Sequence, residues 1–135
     1  MTRQTPGDEL RAAAEHLRAL ANAAVHDGRH TWTTAATLGS KSPVVVDDEQ
    51  QPTVLIETFA SRLEDVNRYL AAVDPKAGLL LADLLESVSY DPDDSALDDP
   101  GSDRHDACDR TVCAPSAALA LARILNATAA KETVL

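Results

Sequence analysis

Apolar residues open the chain at steps of three and four. Leu10, Ala13, Ala14, Leu17, Leu20, Ala21 and Ala24 fall on one stripe, with Arg11, Glu15, Arg18 and Asn22 on the other face. That is the period of an amphipathic helix. Its start is marked: Thr5 offers an N-cap hydroxyl, Pro6 the first helical position, and Asp8 a carboxyl three residues after the cap. Asp8 and Glu9 also sit where the helix dipole favours negative charge. His26-Asp27-Gly28 closes the helix, with Gly28 as the residue after its last turn. The stripe is rich in Ala, so a neighbouring helix can approach closely.

The period then shortens. TWTTAATL (31–38), VVV (44–46) and TVLIET (53–58) are β-rich, and the turn clusters GSKSP (39–43) and 47–52 separate them. Connections this short predict an antiparallel meander, because parallel strands need a long crossover. Ser61–Val73 returns to helical spacing with Leu63, Val66, Tyr69, Leu70 and Val73. Asp74-Pro75 breaks it, and Asp74 is placed to cap a new helix whose first residue is Pro75. That helix carries Leu79, Leu80, Leu81, Leu84, Leu85 and Val88 around much of its circumference, which predicts a central core helix. A last helix opens at Pro115 and Ser116 and presents Leu119, Leu121, Ile124 and Leu125; the final KETVL is expected to fray. The fold class expected is α+β: a small three-stranded antiparallel sheet covered by about four helices, all within one domain, residues 1–135.

Between the last two helices the composition shifts. Eight aspartates lie between Asp91 and Asp109, and Leu97 is the only strongly apolar residue before the cysteines. Such a stretch has little to bury against its ordering entropy, so residues 91–113 are expected as a long, mobile acidic loop. Acid dominates the whole chain as well: 22 Asp and Glu against 12 Lys and Arg give a formal net charge of -10 over 135 residues. This disfavours electrostatic binding of nucleic acid or anionic membrane. Aromatics are only 3%, so the core is aliphatic. No apolar run approaches the about 20 residues of a membrane span, and the N-terminal segment lacks a signal-peptide core. The expectation is a cytoplasmic protein.

The sharpest chemical feature is His105, Cys108 and Cys113, three soft or borderline ligands within nine residues. Zinc sites take four such ligands, so one is missing from the cluster. Asp103, Asp106 or Asp109 can supply an oxygen, and His26 or His30 can arrive from the end of the first helix. The alternatives are free thiols or a Cys108–Cys113 disulfide, the latter disfavoured in a reducing cytoplasm. Asp91, Asp93 and Ser95 match the first ligands of an EF-hand loop, but Ala96 stands where Gly is needed and Ser102 where a bidentate Glu is needed. The dense Asp can also imitate a phosphate backbone. GxSxG, P-loop, GxGxxG and HExxH motifs are absent. Asp47-Asp48-Glu49 sits in a turn, where its carboxylates are expected solvated and ionised. His30 and Trp32 share one face of an expected strand, Trp32 as a core anchor.

Four blocks together, LRAAAEHLRALANAA, VVVDDEQQPTVLIET, LEDVNRYLAAVDPKAGLLLADLLES and AALALARILN, resemble a family of small actinobacterial (Streptomyces-type) and actinophage proteins. The hairpin and the Asp-Pro helix alone are similar to the Ead-like early-region proteins of temperate phages. Neither family brings an established catalytic mechanism, so no functional residue carries over. The resemblance implies a mobile-element or accessory setting. The preferred reading is therefore a non-enzymatic binding or regulatory protein that acts through protein contacts with a host or phage factor. A homodimer is expected, joined through the Ala-rich stripe or an open sheet edge. No cofactor is expected on that reading. The alternative is a small zinc-binding module centred on His105, Cys108 and Cys113.

Overall fold

The structure, a computed structural model, describes residues 3–25, 27–35, 44–47, 54–56 and 63–132. Within them lie four α-helices, α1 (Pro6–Ala23), α2 (Leu63–Ala72), α3 (Pro75–Ser89) and α4 (Ala114–Glu132). Three short strands, β1 (Thr33–Ala35), β2 (Val44–Val46) and β3 (Val54–Ile56), form an antiparallel sheet in the order β1-β2-β3. The architecture is α+β, as the change of period along the chain predicts. The two turn clusters expected between the strands lie largely outside the described residues. The chain falls into two compact units, Leu20–Leu79 and Met1–Ala19 with Leu80–Leu135, where the sequence pattern groups residues 1–135 together.

In the unit Leu20–Leu79 the middle strand is the anchor. Thr33 pairs with Val46 and Ala35 with Val44 on one side, and Val45 pairs with Ile56 on the other. Val44, Val45 and Val46 are all buried, so β2 is enclosed on both of its faces. α2 packs against β1 and β2 and brings a fully buried Asn67 with it. Asp47, expected to be solvated in a turn, is instead buried, with its side chain 1% exposed, and it accepts from the Arg29 guanidinium at 3.2 Å. That pairing is what makes the burial of a carboxylate tolerable. Asp48 and Glu49 lie outside the described residues.

Asp74 is the hinge pin of the same unit. One carboxylate oxygen accepts from Ala77 N at 2.9 Å and caps α3, while the other accepts from Trp32 N at 3.0 Å. His30 O accepts from Lys76 N at 3.0 Å beside it. His30 and Trp32 therefore precede the strand rather than sharing its face. The His30 ring contacts Gly28 O at 2.9 Å, and Trp32 is only half-buried. α1 stops at Ala23, five residues before Gly28: Ala24 N still donates to Leu20 O but also to Ala21 O, and Val25 N donates to Asn22 O, so the last turn tightens and ends. Asp27 and Gly28 instead form a turn of their own, both with left-handed φ, 52° and 71°, a conformation Gly adopts without steric cost.

The second unit is built from Met1–Ala19 and Leu80–Leu135. α1 begins as its sequence predicts: Asp8 N donates to Thr5 Oγ1 at 3.0 Å, and Thr5 N donates back to the Asp8 carboxylate at 3.1 Å. Leu10, Ala13 and Ala14 of α1 meet Ala82 and Leu85 of α3 and Ala118, Leu119 and Ala122 of α4 in one core. The interleaved alanines let these helices approach closely. The Ala-rich stripe expected to serve self-association is thus spent inside the chain at Ala13 and Ala14. Arg18 ties α1 to α3 through Asp83 and Glu86.

Two expectations change here. α3 is not wrapped in core: Leu80 is 61% and Leu84 57% exposed, and only the Ala82 and Leu85 face is buried. The acidic segment is anchored at one point, while residues 98–113 are exposed or half-buried. Ser95–Asp98 forms a short 3₁₀ helix, and Leu97, 1% exposed, plugs the core between α1, α3 and α4. Two of the nearby aspartates serve local turns. Asp94 accepts from Ala96 N at the start of the 3₁₀ helix, and Asp91 accepts from Asp93 N.

Candidate metal centre

Leu97 also sets the position of Asp94, which is buried at the head of the 3₁₀ helix. Having capped that helix with one oxygen, Asp94 turns the other toward His105, whose Nε2–H donates to Oδ2 at 2.6 Å. The proton assigned to Nε2 leaves Nδ1 as the lone-pair nitrogen. Nδ1 faces Cys113, whose thiol donates to it at 3.5 Å.

Downstream, aspartate chemistry folds the chain back on itself. Asp109 Oδ1 accepts from both Thr111 N at 2.9 Å and Thr111 Oγ1 at 2.8 Å, an Asx turn of the kind Asp favours. These bonds hold its carboxyl below the usual range, the Thr111 backbone bond first and its hydroxyl second. The turn closes when Cys113 N donates to Asp109 O at 2.9 Å. Cys113 then becomes the cap residue of α4, its carbonyl accepting from Ala117 N. Pro115, which has no N–H to satisfy, suits the first turn of that helix. Ser116 Oγ donates to Cys108 O at 3.2 Å and pins the other cysteine to the same turn. Cys108 Sγ itself rests on Arg104 O at 3.7 Å.

The result is a cluster: one ligand atom each from His105, Cys108 and Cys113, all within 4.8 Å of one another. Among the described residues these are the three that converge in this way. Both cysteines are free thiols, Cys108 exposed and Cys113 half-buried. Desolvation of its sulfur raises the Cys108 thiol above its ordinary range, the neighbouring Cys113 raises it further, and Arg104 pulls weakly the other way.

Of the three carboxylates expected to complete a metal shell, Asp103 does not join the cluster, and the other two are committed elsewhere. Asp106 binds Arg123 Nη1 at 2.9 Å, and Asp109 serves its turn. His30 belongs to the other unit, where it contacts Gly28, and His26 lies outside the described residues. Asp91 Oδ1 is used locally, accepting from Asp93 N at 3.0 Å. The residue that sequence reading missed is Asp94. Nothing in its composition separates it from the seven neighbouring aspartates; its one signal is that it directly precedes Ser95-Ala96-Leu97, as the cap of a short helix would.

The chain matches no protein-family model, no curated protein and no solved structure. Its chemistry therefore rests on the cluster itself. A tetrahedral zinc ion with sulfur at about 2.3 Å and nitrogen at about 2.0 Å sets those ligand atoms about 3.5 Å apart. Cys113 Sγ and His105 Nδ1 already have that separation, 3.5 Å. A metal-bound histidine characteristically donates its other ring N–H to a carboxylate, which fixes the ring and strengthens the ligand. Asp94 stands in that relation to His105. Beside His105 a hollow of about 390 Å³ opens, lined also by Arg110, Ser116 and Arg123.

Proposed function

We propose that this protein is a small metal-binding module that holds zinc through His105 Nδ1, Cys108 Sγ and Cys113 Sγ. Three protein ligands would leave one position of a tetrahedral zinc for a water molecule. The observation that carries this reading is the convergence of the three ligand atoms within 4.8 Å while Asp94 grips the far nitrogen of the imidazole. The ion's role is to fasten the 103–113 turns to the first turn of α4. Binding energy of this kind adds to the stability of the folded chain. Elemental analysis of protein purified without added metal is expected to give one zinc per chain. Cobalt substitution is expected to give the thiolate charge-transfer band. Cys113→Ser is expected to lose both. A metal-free preparation of unchanged thermal stability, which gains no stability from added zinc, overturns the reading.

A second reading has its own observation. Leu80 and Leu84 are more than half exposed on α3, and beside them lies an apolar groove of about 260 Å³ between α3 and α4. Exposed leucines grouped this way favour a protein contact, with a second copy of the chain as the simplest occupant. On this reading light scattering gives a dimer at tens of micromolar protein and a monomer for Leu80→Ser/Leu84→Ser. A monomeric parent protein removes it. No described helix is long and apolar enough to cross a membrane.

A further inference from the structure

The two cysteines that converge on His105 are also close enough to react with each other. We propose that the zinc site is redox-gated: a low-molecular-weight disulfide oxidises Cys108 and Cys113 to an intramolecular disulfide and expels the ion. This regulation rests on the zinc reading and concerns the same three side chains.

Three features of the geometry carry it. First, Cys108 Sγ and Cys113 Sγ lie within the same 4.8 Å cluster, so the two sulfurs already face each other at a distance that has only to close to the about 2.05 Å of a disulfide. Secondly, access is unequal. Cys108 is exposed while Cys113 is half-buried, which assigns first attack to Cys108 and resolution to Cys113. Thirdly, Cys108 sits among turns, with Arg104 O at its sulfur and Ser116 Oγ at its carbonyl. Its sulfur can move without disturbing the core.

The steps balance. The zinc-bound Cys108 thiolate attacks one sulfur of the small disulfide, forms a mixed disulfide and releases one small thiolate. The Cys113 thiolate then attacks Cys108 Sγ, the Cys108–Cys113 bond forms, and the second small thiolate leaves. Two cysteine thiolates are oxidised, one external disulfide is reduced to two thiolates, and the zinc departs with its two positive charges. Once bonded to each other the sulfurs no longer supply the two anionic ligands, and His105 remains with Asp94. The ring so closed spans only four intervening residues, and a short loop of this kind constrains the unfolded chain little. A disulfide with that small advantage is readily reduced again, which suits a switch rather than a permanent brace.

The test uses the full chain loaded with one zinc. Oxidised glutathione is titrated in beside a chromogenic zinc chelator, with free thiols and the non-reducing intact mass measured together. The expected result is one zinc released for every two thiols lost, a product lighter by two hydrogens and free of glutathione, and reuptake of zinc after dithiothreitol. Zinc that stays bound while thiols are lost overturns the switch and leaves the metal site standing. So do persistent glutathione adducts or disulfides between chains. A chain that takes up no zinc before the oxidant is added overturns both.

Discussion

Leu97→Ala asks whether the acidic segment belongs to the fold. Leu97 is 1% exposed and packs with Leu10, Leu85 and Leu119. Truncation to Ala removes the equivalent of three buried methylenes, about 2.5 kcal/mol of transfer free energy. The space left between three helices adds a cavity term and brings the total toward about 4 kcal/mol, within the range of buried leucine truncations. That is a large share of the roughly 5–15 kcal/mol by which a native domain is typically stable. Urea unfolding followed by circular dichroism measures it, with Leu84→Ala as control. Leu84 is 57% exposed, and its truncation is expected to change stability by no more than about 0.5 kcal/mol. If Leu97→Ala behaves like Leu84→Ala, the segment is not docked, and both the placing of Asp94 and its hold on His105 fall with it.

Four further outcomes follow from the same geometry. Asp94→Asn is expected to weaken zinc affinity about 10–100-fold, as loss of the carboxylate behind a histidine ligand usually does; competition with a chelator reads it, and unchanged affinity removes Asp94 from the site. Asp74→Ala strips α3 of its cap and leaves Trp32 N unpaired, a loss of about 2–3 kcal/mol, measurable as a fall in the denaturation midpoint. Thr5→Ala breaks the reciprocal cap of α1 at a cost of about 1 kcal/mol, read in the same urea titration. Asp8 gives a pH signature: bonds from the Thr5 backbone first, then the Arg11 side chain, hold its carboxyl below the ordinary 3.8. A carboxylate shifted down on folding contributes stability that is complete above its unfolded value and is lost as pH falls through the folded one. The parent protein is therefore expected to lose this contribution in acid below about pH 4, and Asp8→Asn to show a flatter acid limb.

What could be read in the sequence were the features whose partners lie a few residues apart. Thr5, Pro6 and Asp8 specify a helix start by themselves, and Asp74-Pro75 specifies a break and a cap. The three β-rich runs with close turns fix an antiparallel order. His105, Cys108 and Cys113 stand near enough in the chain for their chemistry to be weighed together. What could not be read depends on distant partners. Asp94 meets His105 across eleven residues through a cluster of otherwise equivalent carboxylates. Asp47 is buried with Arg29 reaching it from eighteen residues away. Leu97 looked like a lone apolar residue in an acidic run, yet three helices leave a gap of its size. The leucines of α3 mislead in the opposite sense, because periodicity reports how much apolar surface a helix carries and not how much of it finds a partner.

The order of the chain has a consequence for how the molecule is made. Leu20–Leu79 forms a compact unit by itself, whereas Leu10, Ala13 and Ala14 of α1 are buried by residues beyond Leu80. During synthesis the sheet and α2 can therefore assemble while Leu10, Ala13 and Ala14 are still uncovered. Pairings this remote in sequence close late and slowly. Until then the apolar face of α1 stays open to water, although its own cap is ready as soon as Thr5 and Asp8 are in place.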